Sequence, residues 1–558
     1  MADDDTDTLK DAMQAWMGEF QDMDLDARGM IDPARAAGAV GRNLRRLSAP
    51  LPFDRQPPNF LERLETFSPN NASPGHDGTA SPTSPPAPDR PITGLSLTEA
   101  AAAIADGSLS SEEITRACLD RIDALGETLN CIAAIDPDAA MEAARAMDDR
   151  MAKDEAPGPL AGVPLAHKDM FYRSGRESAC GSKIRRGFTP DHTSGALERL
   201  DGAGALDIAR LNMVEFAFGV TGHNQITGPV RNPWNTDYIT GGSSSGSGAA
   251  VAAGLIFGAL GSDTGGSVRF PASCCGLVGL KPTYGRVSRY GAMPLSYSLD
   301  TVGALTRTVT DNAWMFRAIA GHDPRDAASS RLSVPDVVGG LEDGVRGLRL
   351  GIAEKEFFAP LDDEMRGLMD AAVDVFRELG AVIVPVSMPE SLALTNGLTS
   401  LITSTEGAAI HALWMRERAD DYGRQTLSRL ASGALTPATT YMDALHVRQS
   451  ILEGFMGAVY DITDVLLTPV MMIPVPTIAE TDFAANPGFF EFIVAMGHAT
   501  RPINYLGLPG LSVPCGFTDN GLPTAIQLVG RPFDEATLYR TARAYERETG
   551  CASPRPTL

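Results

Sequence analysis

Three things are scarce in this sequence, and each scarcity narrows the function. Basic residues come first: 47 Lys and Arg face 70 Asp and Glu, a formal net charge of −23 over 558 residues. Nucleic-acid binding needs a basic footprint, so this balance argues against a nucleic-acid partner and suits a freely diffusing cytoplasmic protein. Cysteine is the second. The seven, Cys118, Cys131, Cys180, Cys274, Cys275, Cys515 and Cys551, are odd in number and form no paired CxxC clusters. Neither a zinc site nor a disulfide framework is expected, and no metal or cofactor is implied. Long apolar runs are the third. Residues 241–262, within the longest uncharged stretch, are so rich in Gly and Ser that they read as a tight loop before a buried helix, and no membrane partner is expected. The opening residues, MADDDTDTLK, are acidic and show no secretory-signal pattern.

Core-forming material is plentiful, at 43% apolar against 21% charged residues. Residues 1–67 carry apolar side chains at helical spacing (Leu9, Met13 and Met17, then Val40, Leu44 and Leu47) and read as a helical appendage. Residues 68–91, with "SPNNASPGHDGTASPTSPPAPDRP", read as an extended Pro/Ser-rich linker. The main domain, residues 92–558, opens on the capping box "SLTE" and the helix "SSEEITRACLDRIDAL". Later segments alternate. "GLRLGIA", "AVIVPVSMP", "DVLLTPVMM", "LPGLSVPCG" and "TAIQLVG" read as strands, with the helices "DDEMRGLMDAAVDVFRELG" and "EATLYRTARAYERE" among them. This predicts an α/β fold with a large mixed, mostly parallel sheet covered by helices on both faces.

Two glycine–serine clusters invite a nucleophilic reading. Residues 242–246, GSSSG, match the GxSxG elbow that would nominate Ser244, but no downstream histidine stands in a distinctive motif. In "GSDTGGS" the glycines Gly265 and Gly266 lead into Ser267, and a backbone free to turn there could gather N–H groups beside a hydroxyl, as acyl transfer requires. A base could come from Lys168, which follows the apolar run in "GPLAGVPLAHKDMF". Desolvation would lower its pKa. An ion pair with Asp169 or another carboxylate explains a lysine at a strand end equally well.

"GVPLAHKD", "GGSSSGSGAAVAAG", "GSDTGGSVRFPASCCGLVGLKPTYGRVS", residues 299–311 and the late "NYLGLPGLSVPCGF" together closely resemble the amidase signature family of serine amidohydrolases. The resemblance implies a Ser–cis-Ser–Lys triad, with Ser267 as nucleophile, Ser243 as the bridging serine after the glycine pair ending in Gly242, and Lys168 as base. It implies an oxyanion hole from the N–H groups of Thr264, Gly265, Gly266 and Ser267, with Asp263 and Arg269 bracing the loop. Ser244, Ser245 and Ser247 are left as loop hydrogen-bonders. In "LNMVEFAFGVTGHN", Met213, Phe216 and Phe218 could wall an acyl pocket, with Thr221 and Asn224 as polar contacts; no charged anchor for a carboxylate substrate stands out.

The expected activity is hydrolysis of a small amide, aryl amide or carbamate-like C–N bond. The alternatives are the glutaminase subunit of a tRNA-dependent amidotransferase and a catalytically silent binding or scaffold protein. The expected partners are a small-molecule amide and a second copy of the chain, in a homodimer or other homo-oligomer formed through the N-terminal helices. There, "VGRNLRRLSAPLPFDRQPP" resembles the small helical accessory subunit of biuret-pathway amidases.

Overall fold

The computed structural model describes residues 60–69, 90–153, 155, 158–486 and 488–558. The helices expected around Leu9–Met17 and Val40–Leu47, and most of the Pro/Ser-rich stretch, lie outside the described residues. Eleven strands form one sheet: β1 (Ile132–Ile135), β2 (Pro164–Lys168), β3 (Leu206–Leu211), β4 (Gly258–Asp263), β5 (Val278–Lys281), β6 (Thr301–Thr306), β7 (Arg349–Ile352), β8 (Val382–Pro385), β9 (Val465–Pro469), β10 (Gly510–Phe517) and β11 (Pro523–Gly530). Their spatial order is β1-β3-β2-β4-β6-β5-β10-β11-β9-β7-β8.

The sheet is mixed, as the alternation of strands and helices implied. Its parallel pairs flank the centre, β2 with β3 and β4 on one side and β7 with β8 and β9 on the other. Between them the pairs β4–β6, β6–β5, β5–β10, β10–β11 and β11–β9 are antiparallel, as is β1–β3 at the edge, so six antiparallel pairs stand beside four parallel ones where a mostly parallel sheet was expected. The five strands read from the late sequence are β7, β8, β9, β10 and β11. Residues of β2, β4, β6, β9 and β11 are buried along their whole length, as strands covered on both faces must be.

Local signals set the helices. Ser96 caps the helix Leu97–Ala105 and exchanges hydrogen bonds with Glu99, and Ser110 with Glu113 does the same for Ser111–Leu129. The helix Asp363–Glu378 starts on the Asp362 side chain, and Gly380 follows it with φ 88°, a left-handed turn that glycine adopts without strain.

The helix Phe60–Thr66 is seated on the main body. Leu64 is fully buried, against Gly507. The Arg448 guanidinium lies 3.5 Å from the centroid of the Phe60 ring, and Arg63 pairs with Glu453 at 2.8 Å. Burying one leucine on a packed surface is a large part of what holds so short a helix. Leu64→Ala is expected to lower unfolding stability by about 3 kcal/mol, read from urea transitions; a loss below about 1 kcal/mol would mean that the helix is not held there.

Candidate functional site

The parallel pairing of β2 and β4 brings two chemically active strand ends side by side. His167 stands opposite Leu260 in the register, so the next residue, Lys168, lies beside the end of β4 that carries Ser262 and Asp263. Alternation along β2 sends the two neighbouring side chains to opposite faces. His167 bonds Asp207 through Nδ1 at 2.7 Å, whereas Lys168 Nζ donates to Ser243 Oγ and to Ser262 Oγ, both at 2.8 Å. Lys168 is 0% exposed. Burial pushes its ammonium down to about 7, against the opposing pull of the Asp300 and Asp263 carboxylates. Lys281 is pushed to about 7 as well, chiefly by burial, but its Nζ donates to the Pro282 carbonyl. The two serine hydroxyls therefore distinguish Lys168 more sharply than its pKa does.

The serine run threads between β4 and the loop at Val214. The Gly242–Ser243 peptide bond is cis. Gly242 N–H donates to the Val220 carbonyl at 2.6 Å, and the Ser243 carbonyl accepts from Val214 N–H at 3.1 Å. A Cβ on Gly261 would fall 2.7 Å from Ser244 Oγ, so glycine on β4 lets the run lie against the strand. Ser244 Oγ exchanges hydrogen bonds with the Ser262 backbone at 3.3 Å, and Ser247 Oγ donates to the Leu260 carbonyl at 3.0 Å. Both hydroxyls hold the loop in place. Ser245 Oγ is buried with no described partner.

Ser267 reaches the same place through the turn after β4. Ser244 N–H donates to the Ser267 carbonyl at 3.3 Å, which sets the two serine segments against each other. Among the described hydrogen bonds none joins the Ser243 and Ser267 hydroxyls. The turn is organised by Asp263, whose carboxylate accepts from Gly266 N–H at 2.7 Å and from Val268 N–H at 3.1 Å. Gly266 N–H is thus committed to Asp263, which departs from its expected place among the oxyanion donors. No described acceptor takes the N–H of Thr264, Gly265 or Ser267. Gly266 sits at φ 127°, and a Cβ there would lie 2.4 Å from the Phe270 ring, so no other residue fits.

The expected Asp263–Arg269 brace is present and larger than expected. Arg269 Nη2 bonds Asp263 Oδ1 at 2.9 Å, Nη1 reaches Gln527 Oε1 and the Thr500 carbonyl, and Asn504 Nδ2 donates to Asp263 Oδ1 at 2.8 Å. Burial alone would raise the Asp263 carboxyl, but the Arg269 guanidinium holds it well below the usual carboxylate range. Thr264 Oγ1 donates to Asp300 at 2.5 Å, and Thr500 Oγ1 to the Gly265 carbonyl at 2.9 Å.

The residues expected to wall a pocket have mixed surroundings. Phe218 lies under the Arg429 guanidinium and beside His411. Phe216 packs among His411, Trp414 and Tyr422. Met213 is buried, and its carbonyl accepts one of the two hydrogen bonds given by Asn224 Nδ2, the other going to Gly181. Thr221 Oγ1 is buried with no described partner. Sequence reading missed the Ser262 contact with Lys168, the Asp300 contact with Thr264, and the bracing by Thr500, Asn504 and Gln527. It missed as well Arg501, beside Gly265, and Arg429, over Phe218. Each is a lone polar residue in an ordinary segment, with no motif to announce it. Among the described residues no group of three or more His, Cys, Asp or Glu could hold a metal ion, and no helix is long and apolar enough to cross a membrane.

Comparison with known proteins yields a consistent set. The family model described as Amidase matches residues 113–539. A glutamyl-tRNA(Gln) amidotransferase subunit from Anaeromyxobacter sp. (strain K) is 40% identical over 491 residues, covering 83% of this chain and 98% of that protein. Its counterpart in Geobacter metallireducens is 40% identical over 464 residues, 79% and 94% of the two chains. Among solved structures, one from a study of a vestigial protein complex and the origins of an s-triazine catabolic enzyme has 33% identity and a TM-score of 0.76, covering 83% of this chain and all of that one. A bacterial aryl acylamidase of the amidase signature family has 27% identity and a TM-score of 0.75, with 84% and 100% covered.

These relatives correct the expected partners, a small-molecule amide and a second copy of the chain with nucleic acid excluded. Proteins with so similar a sequence are named as one subunit of an amidotransferase defined by a tRNA. Net charge averages over a whole surface, and within an assembly the basic contacts can belong to other subunits. An acidic chain is not thereby kept from a nucleic-acid-dependent complex.

The buried brace has a measurable consequence. Asp263→Ala leaves the Arg269 charge without its carboxylate in the interior, and unfolding stability should fall by about 3–5 kcal/mol in urea titration. A loss below about 1 kcal/mol would show that the network is dispensable.

Proposed function

Since this chain belongs to the Amidase family, whose enzymes act on C–N bonds, we propose that it cleaves a carboxamide through an acyl-enzyme on Ser267. The observation that carries this is a fully buried amine, pushed down to about 7, within 2.8 Å of the Ser243 hydroxyl. Neutral Lys168 takes the Ser243 proton while Ser243 takes that of Ser267, whose oxygen attacks the amide carbon. The hydroxyl of Ser267 turns toward Ser243 as the carbonyl binds, since catalytic hydrogen bonds often tighten only in the substrate complex. The tetrahedral oxyanion is received by N–H groups of Thr264, Gly265 and Ser267. Its collapse breaks the C–N bond, and the proton returns through Ser243 to the departing nitrogen. Water then repeats the relay on the ester, releasing the acid and restoring the serine.

For the amide itself, the similarity to the tRNA-dependent amidotransferase subunits favours glutamine, with ammonia passed to a partner protein, over a free-standing hydrolase of small, aryl or carbamate-like amides. Seven free cysteines suit a reducing cytoplasm in either case. Glutaminase activity that appears only with added partner subunits and tRNA would support the assembly, and full activity of the chain alone on simple amides would support the free hydrolase.

Ser267→Ala is expected to abolish turnover, Lys168→Ala to lower kcat/KM by about a thousandfold or more, and Ser243→Ala to leave a small residue of activity. A fluorophosphonate should label Ser267, and normal activity in folded Ser267→Ala would overturn the assignment. Because Lys168 works unprotonated, kcat/KM should rise with pH through about 7.

A further inference from the structure

Two guanidiniums, one on Arg501 beside Gly265 and one on Arg429 over Phe218, have no anionic partner among the described residues. Arg501 is 4% exposed and opens the helix Arg501–Tyr505. Its Cγ lies 3.5 Å from the position that a Cβ on Gly265 would occupy, and Thr399 Cγ2 is 4.0 Å from the same point. Its Nη1 is buried without a hydrogen-bond partner. A Cβ at Gly497 would stand 2.6 Å from its Nε, so the glycine there leaves room for the guanidinium. Arg429, half-buried on the helix Arg424–Ala434, has its Cζ 5.5 Å from the centroid of the Phe218 ring and no described hydrogen bond or ion pair. Other buried arginines are well supplied. Arg269 has Asp263, Arg307 the Thr93 and Leu95 carbonyls, and Arg448 the Tyr505, Ser298 and Asn504 carbonyls.

Burial pushes Arg501 down to about 9, with the charge of Arg429 adding to the push, and burial brings Arg429 to about 10. Both remain cationic at neutral pH. A buried guanidinium on which a second cation acts is unfavourable until an anion joins it. Guanidinium forks bind carboxylates in a geometry that lysine cannot reproduce. The Arg501 stem passes beside Gly265, in the loop that would receive the reacting carbonyl, and Arg429 lies over Phe218, a residue expected to wall the acyl pocket.

We propose that Arg429 and Arg501 hold a carboxylate on the acyl part of the substrate, so that the enzyme selects monoamides of dicarboxylic acids over neutral amides. The assignment rests on the amide-cleaving reading above and names its substrate class. No described carboxylate stands beside either guanidinium to receive an ammonium group, so the α-amino group of L-glutamine adds nothing to recognition here.

The test uses the full-length chain, with partner subunits and tRNA added where turnover requires them, and kcat/KM measured for malonamate, succinamate, glutaramate and adipamate against valeramide, and for L-glutamine against glutaramate. The best carboxylate-bearing amide should exceed valeramide by at least tenfold, through KM, and glutaramate should equal or exceed L-glutamine. Valeramide matching the best anion overturns the proposal, as does L-glutamine surpassing glutaramate tenfold. Binding of glutaramate to the Ser267→Ala chain, followed by calorimetry, reads the anion site without turnover. Arg501→Met and Arg429→Met, combined with Ser267→Ala and checked for an unchanged melting transition, should each weaken that binding at least tenfold; undiminished binding overturns the proposal. If Ser267 resists fluorophosphonate and no amide is cleaved while glutaramate still binds through the arginines, the acyl-enzyme reading fails and the anion site stands. If neutral and anionic amides are cleaved alike, the reverse holds.

Discussion

The site depends on one amine kept out of water. Lys168 ends a strand whose every residue is buried, and a lysine in such a place is tolerable only as a neutral group or with a close counter-charge. Here the closest partners are two hydroxyls, with carboxylates acting from farther away. That choice of partners leaves the amine able to accept a proton near neutral pH. An adjacent carboxylate would have fixed it as an ammonium ion. The sheet serves this arrangement: β2 and β4 run parallel to one side of its centre, and the packed layers around them exclude the solvent that would recharge the lysine.

The serine loops on either side of that amine have little regular structure of their own, so something else has to define their shape. Asp263 does so by receiving N–H groups from its own turn and by pairing with Arg269, which in turn is held by Gln527, Asn504 and the Thr500 carbonyl. Charge-assisted hydrogen bonds in a dry interior are directional and strong. They fix a turn that contains two glycines and would otherwise be loose. Rigidity is thus imported from β11 and from the helix Arg501–Tyr505 into a loop that could not supply it.

What could be read from the sequence was local. The capping boxes at Ser96 and Ser110, the strand before Lys168 and the late strands follow from periodicity and end signals within a few residues. The serine and lysine motifs stand out because several unusual residues occur close together. Order within the sheet could not be read, since β5 and β10 pair across more than two hundred residues and no local pattern records it. Nor could Ser262, Asp300, Arg429 or Arg501, whose roles arise only when distant segments meet. The composition misled in one respect. The excess of acid describes the surface as a whole and says nothing of the subunits that surface meets. The helix Phe60–Thr66 belongs to the same lesson: read as part of an appendage, it is seated against Gly507, Tyr284 and Arg448.

The clamp on Arg269 is closed by residues far along the chain. Gln527 lies 258 residues downstream of the arginine it holds, and Asn504 lies 235. A chain emerging from the ribosome therefore carries Lys168, Ser243 and Ser267 long before the residues that brace the turn have been made. Synthesis has to run nearly to the C-terminus before the serine turn can acquire its full brace.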